Sequence, residues 1–227
     1  MLESQYEIAK ENPSAIVVSP TTIVNQQGDV VRQNCLDELL LEDPLRSFLK
    51  RASFMHGGCL LPRELVIRIG GWDESLVAGQ DLDFFRRVLA SGEEVKFAES
   101  FFCYRQHDDA PRISSLDKNR IAKFTSHLKG LDQFREKLES ESRLNQYEVE
   151  LAQNYDLWGL KALALGVPFA DDFFLRAKAL SSASYRSGSW KSKLMRSIFG
   201  DRLTGKFIRS SVWASCRSIM GRLAAKN

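Results

Sequence analysis

The sequence has no C-x-x-C pair, no apolar run of membrane-spanning length, and only six prolines and three histidines in 227 residues. Its four cysteines, Cys35, Cys59, Cys103 and Cys216, lie far apart, which excludes a zinc knuckle and a disulfide framework and leaves reduced, mostly buried thiols as the expectation. The longest apolar stretches fall well short of the roughly 18 residues a bilayer span requires. The amino terminus, MLESQYEIAKENP, carries charge where a signal peptide would carry its apolar region, so the chain is expected in the cytoplasm. What is present is ordinary for folded protein: 44% hydrophobic and 27% charged residues exclude disorder and low complexity, and the length suffices for one domain or somewhat more.

Acidic residues are nearly missing from the end of the chain. Arg186 to Asn227 holds 10 Lys+Arg and the single acid Asp201, a net +9, whereas Met1 to Tyr185 carries 22 basic against 28 acidic residues, a net −6. A mildly acidic body therefore precedes a basic tail.

Along the body, Leu2 to Lys10 reads as a short helix stopped near Pro13. Ala15 to Ser19 is a buried strand, and Thr22-Ile-Val with Val30-Val31 flank the turn-rich Asn25 to Asp29 as a hairpin. Leu39 to Leu49 reads as helical, divided at Pro44. Gly57 to Leu61 reads as a strand, followed by Pro62 in the first turn of a helix that Gly70-Gly71 ends. Asp81, Phe84, Phe85 and Val88 repeat at helical spacing over Gln80 to Leu89, with Gly92 as the stop. Val95 to Ala98 and Phe101 to Tyr104 are strand-like. Ile121, Phe124, Leu128, Leu131 and Leu138 form a helical stripe that Tyr147, Leu151, Tyr155 and Trp158 continue. Two helices across Asn145 to Ser181, hinged at Gly166-Val-Pro168, read as a helical hairpin.

Chemistry concentrates between Gly57 and His107. Pro62-Arg63, Ile69-Gly-Gly-Trp-Asp-Glu74, Gln80-Asp81 with Asp83 and Arg86, Gly92, and Tyr104-Arg-Gln-His107 follow one another in order. This series resembles the carboxy-terminal part of the catalytic domain in family-2-type inverting GT-A glycosyltransferases, and Leu2-Glu-Ser-Gln5 resembles the helix that follows that family's metal-binding aspartate motif. Several linked pieces over about fifty residues are more specific than any one of them. The resemblance covers residues 1–112 and implies an α/β fold: an incomplete GT-A-like mixed sheet with helices, a helical extension over 113–185, and a basic amphipathic tail over 186–227. It places the nucleotide-binding half, with its D-x-D motif, before Met1, so the chain alone is expected to bind donor poorly.

By the same resemblance, the function is transfer of a sugar, with inversion, from a nucleotide-sugar donor to a glycan or lipid-linked acceptor. Such a transfer needs a carboxylate beside the acceptor hydroxyl and positive charge at the departing diphosphate. The resemblance makes Asp81 the base and His107 the ligand of Mg²⁺ or Mn²⁺. It puts Gly57, Gly58, Trp72, Asp73, Glu74 and Gln80 near the acceptor. Gln80 replaces an acid common at that place in the family.

Each of these residues also has a purely structural role open to it. Asp81 can serve the free N–H groups and dipole of its own helix, and His107 can be a solvent-facing loop residue. Gly70-Gly71-Trp72 can be a tight turn whose indole covers the core. His56 and His127 lack comparable context. In the tail, Ile208, Val212, Cys216, Ile219 and Leu223 form one stripe with Trp213 at its edge, which suits packing on the helical extension or, through 189–227, an anionic membrane surface. Nucleic-acid binding is not expected, because no aromatic strand platform accompanies the basic residues. The function of another class that the sequence admits is a non-catalytic remnant acting as a binding or scaffold protein.

Overall fold

A computed structural model describes residues 1–34, 42–51, 56–106 and 119–180. His107, the tail over 189–227 and the start of the helix read from Leu39 lie outside the described residues. The described part is mixed α/β, with two units. One comprises the residues up to 106 together with Lys129–Ser142, and the other 119–128 together with 143–180.

In the first unit, helix α1 (Leu2–Glu11) leads into strand β1 (Ile16–Val18), every residue of which is buried. β1 is the centre of a three-stranded sheet, antiparallel to β4 (Cys59–Leu60) and parallel to β5 (Val95–Phe97). Its run of β-branched residues is what a strand covered on both faces requires. A second sheet is centred on β2 (Thr21–Val24), antiparallel to β3 (Val30–Asn34) and parallel to β6 (Phe102–Arg105). The two sheets continue one ribbon. Ala98 N donates to Val18 O at 2.9 Å and Phe102 N to Pro20 O at 2.8 Å, so the pairing of β1 with β5 resumes as that of β2 with β6.

The β2–β3 hairpin turns where the sequence places it. Asn25 and Asp29 clamp it through paired backbone and side-chain bonds, and Gly28 takes φ 99°. Gln5 on α1 is 1% exposed, and its Nε2 donates to Ser19 Oγ at 3.0 Å and Gly58 O at 2.8 Å. A polar side chain thus docks α1 on the sheet, and the satisfied amide makes its burial affordable.

Helix α2 (Pro44–Arg51) begins at the proline that the sequence marks as a break, with Asp43 Oδ1 accepting Arg46 N at 3.0 Å. Helix α3 (Arg63–Arg68) starts after Pro62 and ends at Gly70 and Gly71, whose φ values of 83° and 65° no β-branched residue would adopt readily. Helix α4 (Gln80–Ala90) buries Phe84, Phe85, Val88 and Leu89 and stops before Gly92 at φ 81°. Asp81 shares their helical spacing but is exposed.

The long helix α5 (Arg120–Ser140) contributes to both units. Phe124, Leu131 and Leu138 are fully buried as the stripe predicts, whereas Ile121, assigned to the same stripe, is 54% exposed. In the second unit α6 (Leu144–Ala164) and α7 (Ala170–Leu180) form the predicted hairpin, with Gly166 at φ 66° in the connection. Phe124 meets Trp158 and Phe173 edge-on, at centroid separations of 5.8 and 6.3 Å. Among the described residues no helix is long and apolar enough to cross a membrane. Of the two described cysteines, Cys59 has its thiol enclosed and its pKa pushed up by burial, while Cys103 is exposed, against the expectation of mostly buried thiols.

Candidate functional site

The loop between α3 and α4 carries an organised polar surface in the first unit. Gly70 and Gly71 turn the chain in left-handed conformation and bring Trp72 onto α4, where its indole stacks on Phe84 at 4.3 Å with 12° between the planes. Phe84 covers one face of the indole, and Trp72 is still 47% exposed. Buried Leu76 pins the middle of the loop, and Gln80 Nε2 donates to its carbonyl at 2.6 Å.

Two helices tie this loop down. From α4, Arg87 Nη1 donates to Ile69 O at 2.7 Å, while Nε and Nη2 of the same guanidinium reach Asp83 Oδ2 at 3.0 and 2.7 Å. From α5, Lys129 Nζ donates to Ser75 Oγ at 2.7 Å and Gln133 Nε2 to Asp73 Oδ2 at 3.3 Å. Lys129, Gln133 and Lys137 are spaced i, i+4, i+8, so one stripe of α5 faces the loop. Asp73 Oδ1 accepts from both the backbone N–H and the hydroxyl of Ser75. The Ser75 hydroxyl and amide hold the Asp73 carboxyl below the usual carboxylate range, with smaller help from Gln133 and Lys129.

Between the loop and the two helices lies an open cleft of about 380 Å³. Its walls are Gly70, Trp72, Asp73 and Glu74 from the loop, Asp83 and Arg87 from α4, and Gln133, Phe134 and Lys137 from α5. This volume is within the range of about 300–1,000 Å³ usual for small-ligand sites. Its lining couples an aromatic plate to carboxylates and an amide, a set that stacks on the apolar face of a ring and exchanges hydrogen bonds with hydroxyls around its edge.

The residues singled out from sequence divide between this cleft and other places. Trp72, Asp73 and Glu74 line it together. Asp81 does not. Its side chain is exposed at the first turn of α4, with Oδ1 accepting Leu82 N at 2.9 Å. Residues two apart on a helix point about 200° apart, so the acid that turns inward is Asp83 and not Asp81. Gln80 also lies outside the lining, closing the loop through Leu76. Gly57 and Gly58 belong to sheet packing: a Cβ on Gly57 would stand 2.4 Å from Phe102 Cζ, and one on Gly58 would stand 3.1 Å from Ser19 O. Their lack of a side chain serves close approach of Phe102.

His107 is outside the described residues, and among the described residues no group of three or more His, Cys, Asp or Glu side chains is placed to hold a metal ion. Asp83, Arg87, Gln133 and Lys137 escape the reading of the cleft from sequence, although the polar i, i+4, i+8 row on α5 is a visible signal. In comparisons with known proteins, no family model, curated protein or solved structure matches the chain.

Proposed function

We propose that this chain is the acceptor-side part of an inverting GT-A-like glycosyltransferase, moving a sugar from a nucleotide-sugar donor to a glycan or lipid-linked acceptor in the cytoplasm. The observation that carries this reading is the cleft in which Trp72, Asp73 and Glu74, three consecutive residues of the resembling segment, line one cavity. The element order supports it as well: a buried central strand, a hairpin, a short antiparallel strand, then the Gly-Gly-Trp-Asp-Glu loop opening into α4 and two further parallel strands. Asp81, exposed at the start of α4, is accessible to a hydroxyl from solution. In the transfer, the acceptor oxygen forms a bond to the anomeric carbon as its proton passes to the Asp81 carboxylate. The bond to the nucleotide diphosphate breaks, and the diphosphate leaves with the electron pair. No metal-dependent step is assigned to the described residues.

Transfer from labelled nucleotide-sugars to oligosaccharide and lipid-linked acceptors, compared between the protein and Asp81→Asn, tests the reading. The expected result is slow transfer at most, because the chain alone binds donor poorly, with Asp81→Asn reducing it by at least about 100-fold, the lower scale of general-base contributions. Equal transfer by both forms would refute the role of Asp81.

One observation favours a second reading. Asp81 is outside the cleft and tied to Leu82 N, as a helix-start carboxylate would be, which suits a non-catalytic saccharide-binding or scaffold protein. That reading expects saccharide binding with no transfer from any donor.

A further inference from the structure

The cleft has a charge pattern that selects among sugars. Asp73, Glu74 and Asp83 face Arg87 and Lys137 in its lining, three carboxylates against two cations. The cations are engaged. Arg87 directs Nε, Nη1 and Nη2 to Asp83 and the Ile69 carbonyl, and Lys137 pairs with Glu141 just past the end of α5. A carboxylate offers about four lone-pair sites. Asp73 receives Ser75 on one oxygen and Gln133 alone on the other, so acceptor capacity remains on its outer oxygen. Glu74 is exposed at the rim.

The aromatic geometry narrows the ligand further. Phe84 occupies one face of Trp72, so a ligand ring meets only the opposite face. A single indole plate with hydroxyl acceptors on one side accommodates one flat, uncharged ring, whereas a nucleoside diphosphate or uronic acid would bring its negative charge against Asp73 and Glu74.

We infer that this cleft is a subsite for an uncharged saccharide unit of the acceptor other than the one that reacts, stacked on Trp72 and hydrogen-bonded by Asp73 and Glu74, with Gln133 as the positioning residue of Asp73. The inference rests on the glycosyltransferase reading for the word acceptor. It goes beyond that reading in separating the binding cleft from Asp81, in the class of sugar, and in the part that α5 plays.

The experiment uses the full chain without any donor. Maltotriose, cellotriose and chitotriose are titrated while the indole N–H resonance of Trp72 is followed, with a glucuronate-containing trisaccharide and UDP as anionic probes. At least one neutral trisaccharide is expected to shift that resonance, with binding at least about tenfold tighter than either anionic probe. Glu74→Gln and Gln133→Ala, both at solvent-facing positions of the cleft wall, are expected to weaken binding several-fold. Trp72→Ala is expected to weaken it by about tenfold, in keeping with the worth of one aromatic stack. Asp81→Asn is expected to retain binding in this donor-free assay.

No shift with any neutral trisaccharide up to about 10 mM, equal binding of the anionic probes, or unchanged affinity in both Glu74→Gln and Gln133→Ala would each overturn the inference. Loss of binding in Asp81→Asn would overturn the separation of the subsite from the base. Retained binding with no transfer from any donor would leave the saccharide site standing and restrict this chain by itself to binding.

Discussion

Replacing Arg87 by methionine tests whether the floor of the cleft is a buried ion pair or a decorative one. On a solvated helix face, an i, i+4 pair such as Asp83–Arg87 contributes about 0.3–0.5 kcal/mol. Here the Asp83 side chain is 5% exposed and that of Arg87 18%, and the guanidinium makes three hydrogen bonds, two to Asp83 Oδ2 and one to Ile69 O. Arg87→Met keeps most of the apolar stem but leaves a buried carboxylate without its cation and a loop carbonyl without its donor. Breaking such a pair from one side costs about 3–5 kcal/mol. The first unit lies between the sizes for which 1 kcal/mol shifts the midpoint by about 4–8 °C and by about 2–4 °C, so it should melt at least about 6 °C lower.

Arg87→Lys should not rescue it, because one ammonium cannot span Asp83 and Ile69 O in the way the planar fork does. The double variant Asp83→Asn with Arg87→Met should recover part of the loss, since it removes the stranded charge. Hydrogen exchange read on α4 peptides, alongside urea unfolding, assigns the loss to this unit. A loss below about 0.5 kcal/mol in Arg87→Met would refute the argument, because that is the value of a solvated pair.

Two further outcomes follow from the same geometry. Gly130→Ala and Gly159→Ala are both helix-interior changes that gain about 1 kcal/mol of intrinsic propensity, but a Cβ on Gly130 meets Leu76 at 3.6 Å while one on Gly159 meets the Phe174 ring at 2.8 Å and Phe173 Cβ at 3.1 Å. Gly130→Ala should stabilise by up to about 1 kcal/mol, and Gly159→Ala, with overpacking costing about 1–3 kcal/mol, should be neutral to destabilising in denaturant unfolding; a stabilised Gly159→Ala would contradict the close packing of α6 on α7. Ser75→Ala removes the leading cause of the lowered Asp73 pKa, so a carbon-detected carboxyl titration should show that group rising toward the ordinary carboxylate range. Because the folded-state pKa is depressed, the support that ionised Asp73 lends the loop is present above the ordinary carboxylate range and is lost as pH falls through the folded value; an unmoved Asp73 titration in Ser75→Ala would refute this assignment.

Much of the fold is legible in local pattern. The β-branched run Ile16 to Val18, the Asn25–Asp29 turn, the start of α2 at Pro44, the glycine stops at 70, 71 and 92 and the α6–α7 hairpin are set by residues near one another in the chain, and each element forms where its pattern falls. Strand pairing follows less directly. That β1 continues into β2 beside β5 and β6, and that Gln5 docks α1 on Ser19 and Gly58, depend on partners remote in sequence.

For the site, sequence alone determined that Trp72, Asp73 and Glu74 sit on a glycine-made loop ahead of a helix. It did not determine which acid of α4 turns inward, because helical spacing fixes only the angle between Asp81 and Asp83 and the core fixes the rotation of the helix as a whole. Phe84 and Phe85 seek burial, and that rotation buries Asp83 beside Arg87, one turn along the same helix, and leaves Asp81 in solvent. The third wall was equally hidden: Gln133 and Lys137 become a cleft surface, and Lys129 reaches Ser75, only when α5 is brought against a loop some sixty residues earlier. Periodicity is a property of neighbours along the chain, and burial is a property of whatever the packed chain brings alongside, so the elements could be read from the letters and the cleft could not.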